Sequence, residues 1–143
     1  MLAAPLDVGD YATATTRDVY LPAVRWMDFD TGTMYSGGQT LKAFAMPTGK
    51  VPLFLGGSGI TLEELGTVVA VVYPVAINAK STLTLPASDQ SFTVNEQGLP
   101  AASKWRDVTV TDSKGETVVV KTQGFGFSFA PRAGESYTVR ALR

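Results

Sequence analysis

Cysteine and histidine are both missing from this 143-residue chain, and their absence excludes a large part of protein chemistry. Without cysteine there is no disulfide, no thiol nucleophile and no zinc thiolate site. Without histidine there is no Ser-His-Asp triad and no imidazole metal ligand. Carboxylates, lysines and tyrosines remain as the acid–base candidates, and we expect neither a metal nor another cofactor.

Charge of either sign is also scarce, and no long apolar run is present. Twelve basic and thirteen acidic residues leave a formal charge of -1, so we expect neither nucleic acid nor a membrane surface as a partner. The longest apolar run, residues 68–77, contains Tyr73 and Pro74 and is far too short to span a bilayer. The N-terminus has no basic start, and Pro5 and Asp7 interrupt its apolar residues, which predicts no signal peptide and leaves the localisation open.

The remaining pattern is typical of strands. Short β-branched or aromatic runs recur, each ended by Gly, Pro, Asn or Asp. They predict strands at residues 17–21, 25–29, 33–35, 41–46, 51–55, 67–73, 81–85, 91–95, 107–111, 117–122, 124–129 and 136–141. The run 67–73 is continuously apolar, as in a strand buried on both faces. Phe125, Phe127 and Phe129 form one apolar strand face, which we expect in the core.

Two segments are predicted to form a turn and a helix instead of strands. Residues 112–116 predict a hairpin turn by their composition. Residues 61–66 favour a helix, because Thr61 is a good N-cap and Glu63 and Glu64 suit a first turn. Taken together, the spacing predicts an all-β chain with antiparallel β-sandwich architecture. We expect either one compact unit or two small β sub-domains, proximal at 1–66 and distal at 67–143.

Residues 17–60 carry an ordered series of motifs: Val19-Tyr20-Leu21-Pro22, Arg25-Trp26, Asp28-Phe29, Thr31-Gly32, Gly37-Gly38 and Val51-Pro52-Leu53-Phe54. Their order and spacing resemble the C-terminal sandwich of glycoside hydrolase family 31, the α-glucosidase and α-xylosidase family. Residues 2–6 are similar to the family's segment before that sandwich. Residues 72–74 and 92–96 resemble, more loosely, the start of its distal β-domain. Val24 and Gly56 depart from the pattern, since the family often has glycine and arginine at these two positions.

The resemblance implies an accessory role and no catalysis. In that family, two aspartates on a (β/α)8 barrel perform hydrolysis, and the barrel precedes the matched region. A barrel does not fit into 143 residues, so no catalytic residue carries over to this chain. The implied partner is a glycosidase catalytic barrel, either in the same polypeptide or in another one.

Four aromatic residues are candidates for carbohydrate binding, because sugar rings stack their C–H faces on exposed aromatic rings. Trp105 lies between Lys104 and Arg106, which favours partial exposure and makes it the first candidate. Tyr35 precedes a Ser-Gly-Gly turn and is the second. Burial is the favoured role of Trp26, which lies inside the motif series. Tyr11 completes the candidate set.

Asp28 and Asp30 are two residues apart, so on a strand they would share a face. As a catalytic or calcium pair they lack a distal glutamate at loop spacing. The favoured interpretation is that Asp28 hydrogen-bonds a neighbouring loop while Asp30 opens a turn. The segment 56–59, Gly-Gly-Ser-Gly, lacks the Lys-Ser/Thr of a phosphate loop and predicts a turn.

Three functional hypotheses are open at this point, and the first is favoured. The chain is a non-catalytic accessory sandwich that structurally supports an α-glycosidase barrel. Alternatively, it is a free-standing carbohydrate-binding module that uses Trp105 and Tyr35. A small enzyme built on a carboxylate pair is the least favoured of the three.

Overall fold

The computed structural model of the chain describes residues 1–4, 13, 15–47, 49–102 and 104–142, and they form strands and turns without a helix. The predicted all-β class is confirmed. No described residue therefore belongs to a helix that could cross a membrane. The chain divides into two compact units: the first unit is Met1–Gly57 and the second unit is Ser58–Arg143.

The first unit contains a four-stranded sheet and a two-stranded sheet. Its strands are β1 (Leu2–Ala3), β2 (Thr16–Leu21), β3 (Arg25–Asp28), β4 (Met34–Ser36), β5 (Gln39–Ala45) and β6 (Leu53–Gly56). The larger sheet has the order β1-β6-β3-β4, and β2 pairs with β5 in the smaller one. All these pairs are antiparallel.

Alternation along β2 decides which of its side chains enter the core of the first unit. Val19 and Leu21 are buried, whereas Tyr20 between them is 60% exposed, because successive strand residues point to opposite faces. The same apolar cluster contains Ala4, Trp26 and Phe54. The first motif of the series at residues 17–60 therefore supplies core residues of this unit.

A β-bulge interrupts the pairing of β2 with β5 near Asp18. Opposite it, Ala43 has a left-handed backbone with φ of 47°, and its N–H donates to the Asp18 carboxylate at 2.9 Å. Lys42 Nζ lies 2.6 Å from the same carboxylate. A bulge inserts an extra residue into one strand, so Leu41 and Phe44, three positions apart, both pack against the core.

The second unit contains two larger sheets. Its strands are β7 (Ile60–Leu65), β8 (Thr67–Val72), β9 (Lys80–Thr84), β10 (Ser91–Gln97), β11 (Val108–Thr111), β12 (Thr117–Val118), β13 (Lys121–Gln123), β14 (Gly126–Phe129) and β15 (Ser136–Ala141). One sheet has the order β13-β14-β8-β7 and the other β12-β11-β15-β10-β9. Strands β10 and β15 are parallel, and the remaining pairs are antiparallel.

Both sheets of the second unit contribute to one apolar core, as in a β-sandwich. Phe127 and Phe129 of β14 are buried in the same cluster as Phe92 of β10 and Tyr137 of β15. The rings of Phe129 and Tyr137 lie 4.7 Å apart between centroids. The predicted apolar face is confirmed as core for Phe127 and Phe129, whereas Phe125 is half-buried.

The helix predicted at residues 61–66 is wrong, because this segment is strand β7, which pairs with β8 along its whole length. Six residues are too few to offset the cost of nucleating a helix. Pairing with the apolar strand β8 satisfies the backbone instead, and Gly66 reverses the chain with φ of 82°. The two compact units divide after Gly57, so the whole β7–β8 hairpin belongs to the second unit.

The single strand predicted at residues 117–122 is also wrong, because the chain passes there from one sheet to the other. Strand β12 pairs with β11, whereas β13 pairs with β14, and Val119 between them is 82% exposed. The hairpin turn predicted at residues 112–116 is confirmed. Asp112 Oδ1 accepts the N–H of Lys114 at 3.0 Å and that of Glu116 at 2.9 Å.

Candidate functional site

An internally bonded turn joins β3 to β4 at residues 28–33. Asp28 is buried; its Oδ1 accepts the N–H of Asp30 at 3.0 Å, and its Oδ2 accepts the hydroxyl of Thr31 at 2.7 Å. Thr33 Oγ1 lies 2.9 Å from Thr31 Oγ1, and Gly32 donates its N–H to the Asp28 carbonyl at 2.8 Å. The prediction that Asp28 hydrogen-bonds a neighbouring loop is confirmed, since its carboxylate organises this turn.

The turn borders a groove of about 480 Å³ in the first unit. Its polar lining comes from the turn and from Lys50. Its apolar lining comes from β4, the end of β5 and the segment after β5, with Tyr35, Phe44, Met46 and Pro47. Sites for small molecules typically have this volume and this combination of apolar walls with a few polar groups.

Tyr35 is the half-buried aromatic residue of the groove. Its ring packs edge-on against Phe44 and Phe54, with centroid distances of 6.3 and 6.1 Å. These contacts fix the ring against the core of the first unit. Burial, and secondarily the negative charge of Asp28, raise the pKa of Tyr35 above its ordinary value of 10.0. The hydroxyl therefore keeps its proton at neutral pH and is able to donate a hydrogen bond.

Two opposite charges stand at the same groove. Lys50 Nζ lies 3.9 Å from Asp30 Oδ2, and their side chains are 62% and 55% exposed. An ion pair with this separation and exposure contributes little to stability. Both groups are consequently accessible as hydrogen-bonding partners for a molecule in the groove.

Trp105 is buried in the core of the second unit, and the partial exposure predicted for it is wrong. The side chain is 2% exposed, and its Nε1–H donates to the Pro100 carbonyl at 3.0 Å. Its charged neighbours Lys104 and Arg106 are exposed, so the polarity of adjacent residues did not indicate the burial of Trp105 itself. The indole therefore presents no open face on which a sugar could stack.

Trp26 is buried in the first unit, as its favoured role predicts. Its Nε1–H donates to the Pro22 carbonyl at 2.8 Å. Gly56 pairs with it across β3 and β6, and a Cβ atom at position 56 would lie only 2.7 Å from Cε3 of the indole. The glycine that departs from the family resemblance thus makes room for the ring of Trp26.

The other candidates contribute less. Residues 57–58 form the turn between β6 and β7, which agrees with the turn predicted at 56–59. Tyr11 lies outside the described residues. Within the described part of the chain, no three Cys, Asp or Glu side chains gather as a metal site requires.

Sequence reasoning missed Phe44 and Lys50 as groove residues. Strand alternation places Phe44 opposite to Leu41, and only the bulge at Ala43 returns it to the same side. Lys50 lies outside the strands and approaches the turn through its long side chain. A recognisable signal existed for the turn itself, because Asp28 to Thr33 combines Asp, Thr and Gly in an order typical of Asx turns.

Glu96 is a buried carboxylate that the sequence analysis did not single out. It is 3% exposed and shares the buried side of β10 with Phe92 and Val94. Its Oε2 lies 3.5 Å from the N–H of Ala79, which is too long for a strong hydrogen bond. Burial raises the pKa of Glu96 from 4.5 to about 7, and the Ala79 N–H opposes this rise. The alternation of Phe92, Val94 and Glu96 along one strand was the sequence signal that could have indicated the burial of Glu96.

Comparison of the chain with known protein families finds a match to one family model. Residues 1–60 match the family model of the glycosyl hydrolase family 31 C-terminal domain, which is a non-catalytic domain. The resemblance predicted over residues 17–60 is confirmed, and the match supports an accessory domain of a glycosidase. It covers less than half of the chain and includes no catalytic domain. The searches of curated proteins and of solved structures found no match.

Proposed function

We propose that this chain is the accessory β-sandwich of an α-glycosidase and that it supports a catalytic barrel by packing against it. The match of residues 1–60 to a family 31 C-terminal domain carries the proposal. The barrel belongs either to the same polypeptide or to a separate one. Hydrolysis is the task of the barrel in this proposal, and the present chain contributes stability and shape.

The use of the matched residues supports a structural role. Leu21, Trp26 and Phe54 form the core of the first unit, and Asp28 organises its turn. A glycosidase requires two opposed carboxyl groups with access to a sugar. Asp28 is 6% exposed and bonded to its own turn, so it serves folding before it serves any chemistry.

Several large apolar side chains among the described residues of the matched segment remain in water. Tyr20 is 60%, Val24 46% and Val51 45% exposed. Tyr20 and Val51 belong to motifs whose other members include buried residues of the core. Burying such side chains in a contact is favourable by roughly 25 cal/mol for each Å² removed from water. We therefore assign Tyr20 and Val51 to the contact with the barrel.

The test is an association experiment with the catalytic barrel of a family 31 α-glucosidase produced without its own C-terminal domain. We expect the chain to co-elute with the barrel in size-exclusion chromatography and to raise its melting temperature. The double variant Tyr20→Ser/Val51→Ser should weaken the association. Val119→Ser is the matched control, because Val119 is 82% exposed in the second unit. Lack of association of the unaltered chain, or equal weakening by the control, would contradict the proposal.

A second experiment addresses the enzyme hypothesis. The chain alone should release no 4-nitrophenol from 4-nitrophenyl α-glucoside or α-xyloside, and Asp28→Asn should leave that result unchanged. Turnover that disappears in Asp28→Asn, with the fold retained by circular dichroism, would establish a catalytic carboxylate and overturn the non-catalytic assignment.

The alternative of a free-standing carbohydrate-binding module keeps one of the three candidate residues that the structure describes. The rings of Trp105 and Trp26 are buried, so neither is available for stacking. Tyr35 remains, because it borders the groove in the first unit.

A further inference from the structure

We propose that the groove beside Tyr35 in the first unit is a binding site for a neutral saccharide. This inference goes beyond the packing role above and uses only residues of the first unit. A saccharide combines apolar C–H faces with hydroxyl groups that both donate and accept hydrogen bonds. The groove offers an apolar surface for the C–H faces and polar groups for the hydroxyls, and both line the same space.

The apolar surface consists of Tyr35, Phe44, Met46 and Pro47. Tyr35 and Phe44 hold each other edge-on at 6.3 Å between centroids, and Phe54 beneath them is fully buried. Because the rings are fixed by the core, a ligand does not have to order them on binding. Such preorganisation lowers the entropic cost of association.

The polar groups are equally preorganised by the turn. The two oxygens of Asp28 each accept one hydrogen bond, from Asp30 N–H and from the Thr31 hydroxyl. Asp28 is itself buried, so its carboxylate acts by holding the turn that carries Asp30 and Thr31 at the groove, and the exposed Asp30 is the acceptor for the ligand. The Tyr35 hydroxyl adds a group that both donates and accepts.

The charges select the class of ligand. Asp28, Asp30 and Lys50 are two carboxylates and one ammonium group, which leaves one formal negative charge at the groove. Sugar phosphates and uronic acids are therefore disfavoured by repulsion. Asp30 accepts and Lys50 donates within 3.9 Å of each other, an arrangement that suits neighbouring hydroxyls of one sugar ring.

The experiment is isothermal titration calorimetry of the full chain with maltotetraose, cellotetraose and xylotetraose. Tetragalacturonic acid is the anionic comparison. We expect saturable binding of at least one neutral tetrasaccharide and weaker binding of the anionic one. Asp30→Asn and Lys50→Ala should each weaken binding about tenfold, as the loss of a hydrogen bond to a charged group predicts. Both side chains are exposed, so these variants should fold.

The matched controls are Asp89→Asn and Lys114→Ala, which change exposed charges of the second unit and should bind like the unaltered chain. Absence of saturation with all three neutral probes overturns the proposal, and so does equal weakening in the control variants. Tighter binding of tetragalacturonic acid overturns the assigned ligand class. Asp30→Asn and Lys50→Ala should keep the association with the barrel, which separates failure of this site from failure of the packing role.

Discussion

The two units of the chain achieve order in different ways. Among the described residues, thirteen buried residues form the core cluster of the second unit and five form that of the first. The second unit relies on apolar volume between two sheets. The first unit has the smaller cluster, and it combines that cluster with a close fit of Gly56 to Trp26, the carboxylate of Asp18 at a bulge and that of Asp28 in a turn. A carboxylate-bonded turn also occurs in the second unit, at Asp112, so the difference between the units lies in the size of the core.

The difference extends to the candidate site. The groove lies in the first unit, where a polar turn and half-buried rings line the same space. In the second unit the largest aromatic side chains, including Trp105 and Tyr137, are fully enclosed. The proposed saccharide site therefore belongs to the unit with the smaller core, because its aromatic rings are only half-buried.

The largest expected effect is on the core of the second unit. Phe127→Ala should reduce the free energy of unfolding by about 4 kcal/mol, because it leaves a cavity at a residue with no exposed surface. Phe44→Ala, at a half-buried ring of the first unit, should cost less. Urea denaturation followed by circular dichroism measures both. A larger loss for Phe44→Ala would reverse the comparison of the two cores.

The next largest effect is a pH dependence of the free energy of unfolding, and it arises from Glu96 in the second unit. The pKa of Glu96 is raised in the folded chain from 4.5 to about 7, so folding favours its protonated form. The stabilisation of the folded chain that Glu96 provides is fully present below pH 4.5, decreases as the pH rises, and is lost above pH 7. The difference amounts to about 3 kcal/mol.

Glu96→Gln keeps the shape of the protonated acid and should remove this dependence. We expect the variant to be more stable than the unaltered chain at pH 8 and similar to it at pH 4, in urea denaturation at both values. Equal stabilities at pH 8 would show that the buried carboxylate carries no such cost.

A smaller effect on stability is expected where Gly56 of the first unit packs against the indole of Trp26. Gly56→Ala should destabilise the chain by about 2 kcal/mol, because the new Cβ lies 2.7 Å from the indole of Trp26. The cost should fall when the ring is removed, so a double-mutant cycle with Trp26→Leu is the measurement. The same cost in both backgrounds would contradict the proposed contact.

The smallest effect concerns the bulge of the first unit. Ala43→Gly should stabilise the chain by about 1 kcal/mol, because φ of 47° is costly for a residue with a Cβ. Ala45→Gly on the same strand is the control and should destabilise by about 0.5–1 kcal/mol. Thermal denaturation of the two variants should give shifts of opposite sign, and shifts of the same sign would argue against the left-handed position.

Sequence patterns predicted the features of the fold that depend on residues close together in the chain. The strands, the hairpin turn at residues 112–116 and the bonding role of Asp28 follow from alternation and from turn-forming residues. Patterns failed where distant segments compete. The segment at residues 61–66 has the residues of a first helical turn, but pairing with β8 offers it more hydrogen bonds than a short helix does.

Composition and residue order were enough to exclude histidine and cysteine chemistry and to predict the all-β class. The lack of histidine and cysteine, the alternation of apolar residues and the motifs at residues 17–60 are properties of the chain alone. The folded chain was needed to show which aromatic rings stay accessible, that Phe44 lies beside Tyr35 at the groove, and that Glu96 is buried. The physical reason is that burial depends on contacts between residues far apart in sequence, and a bulge or a sheet crossover changes which residues meet.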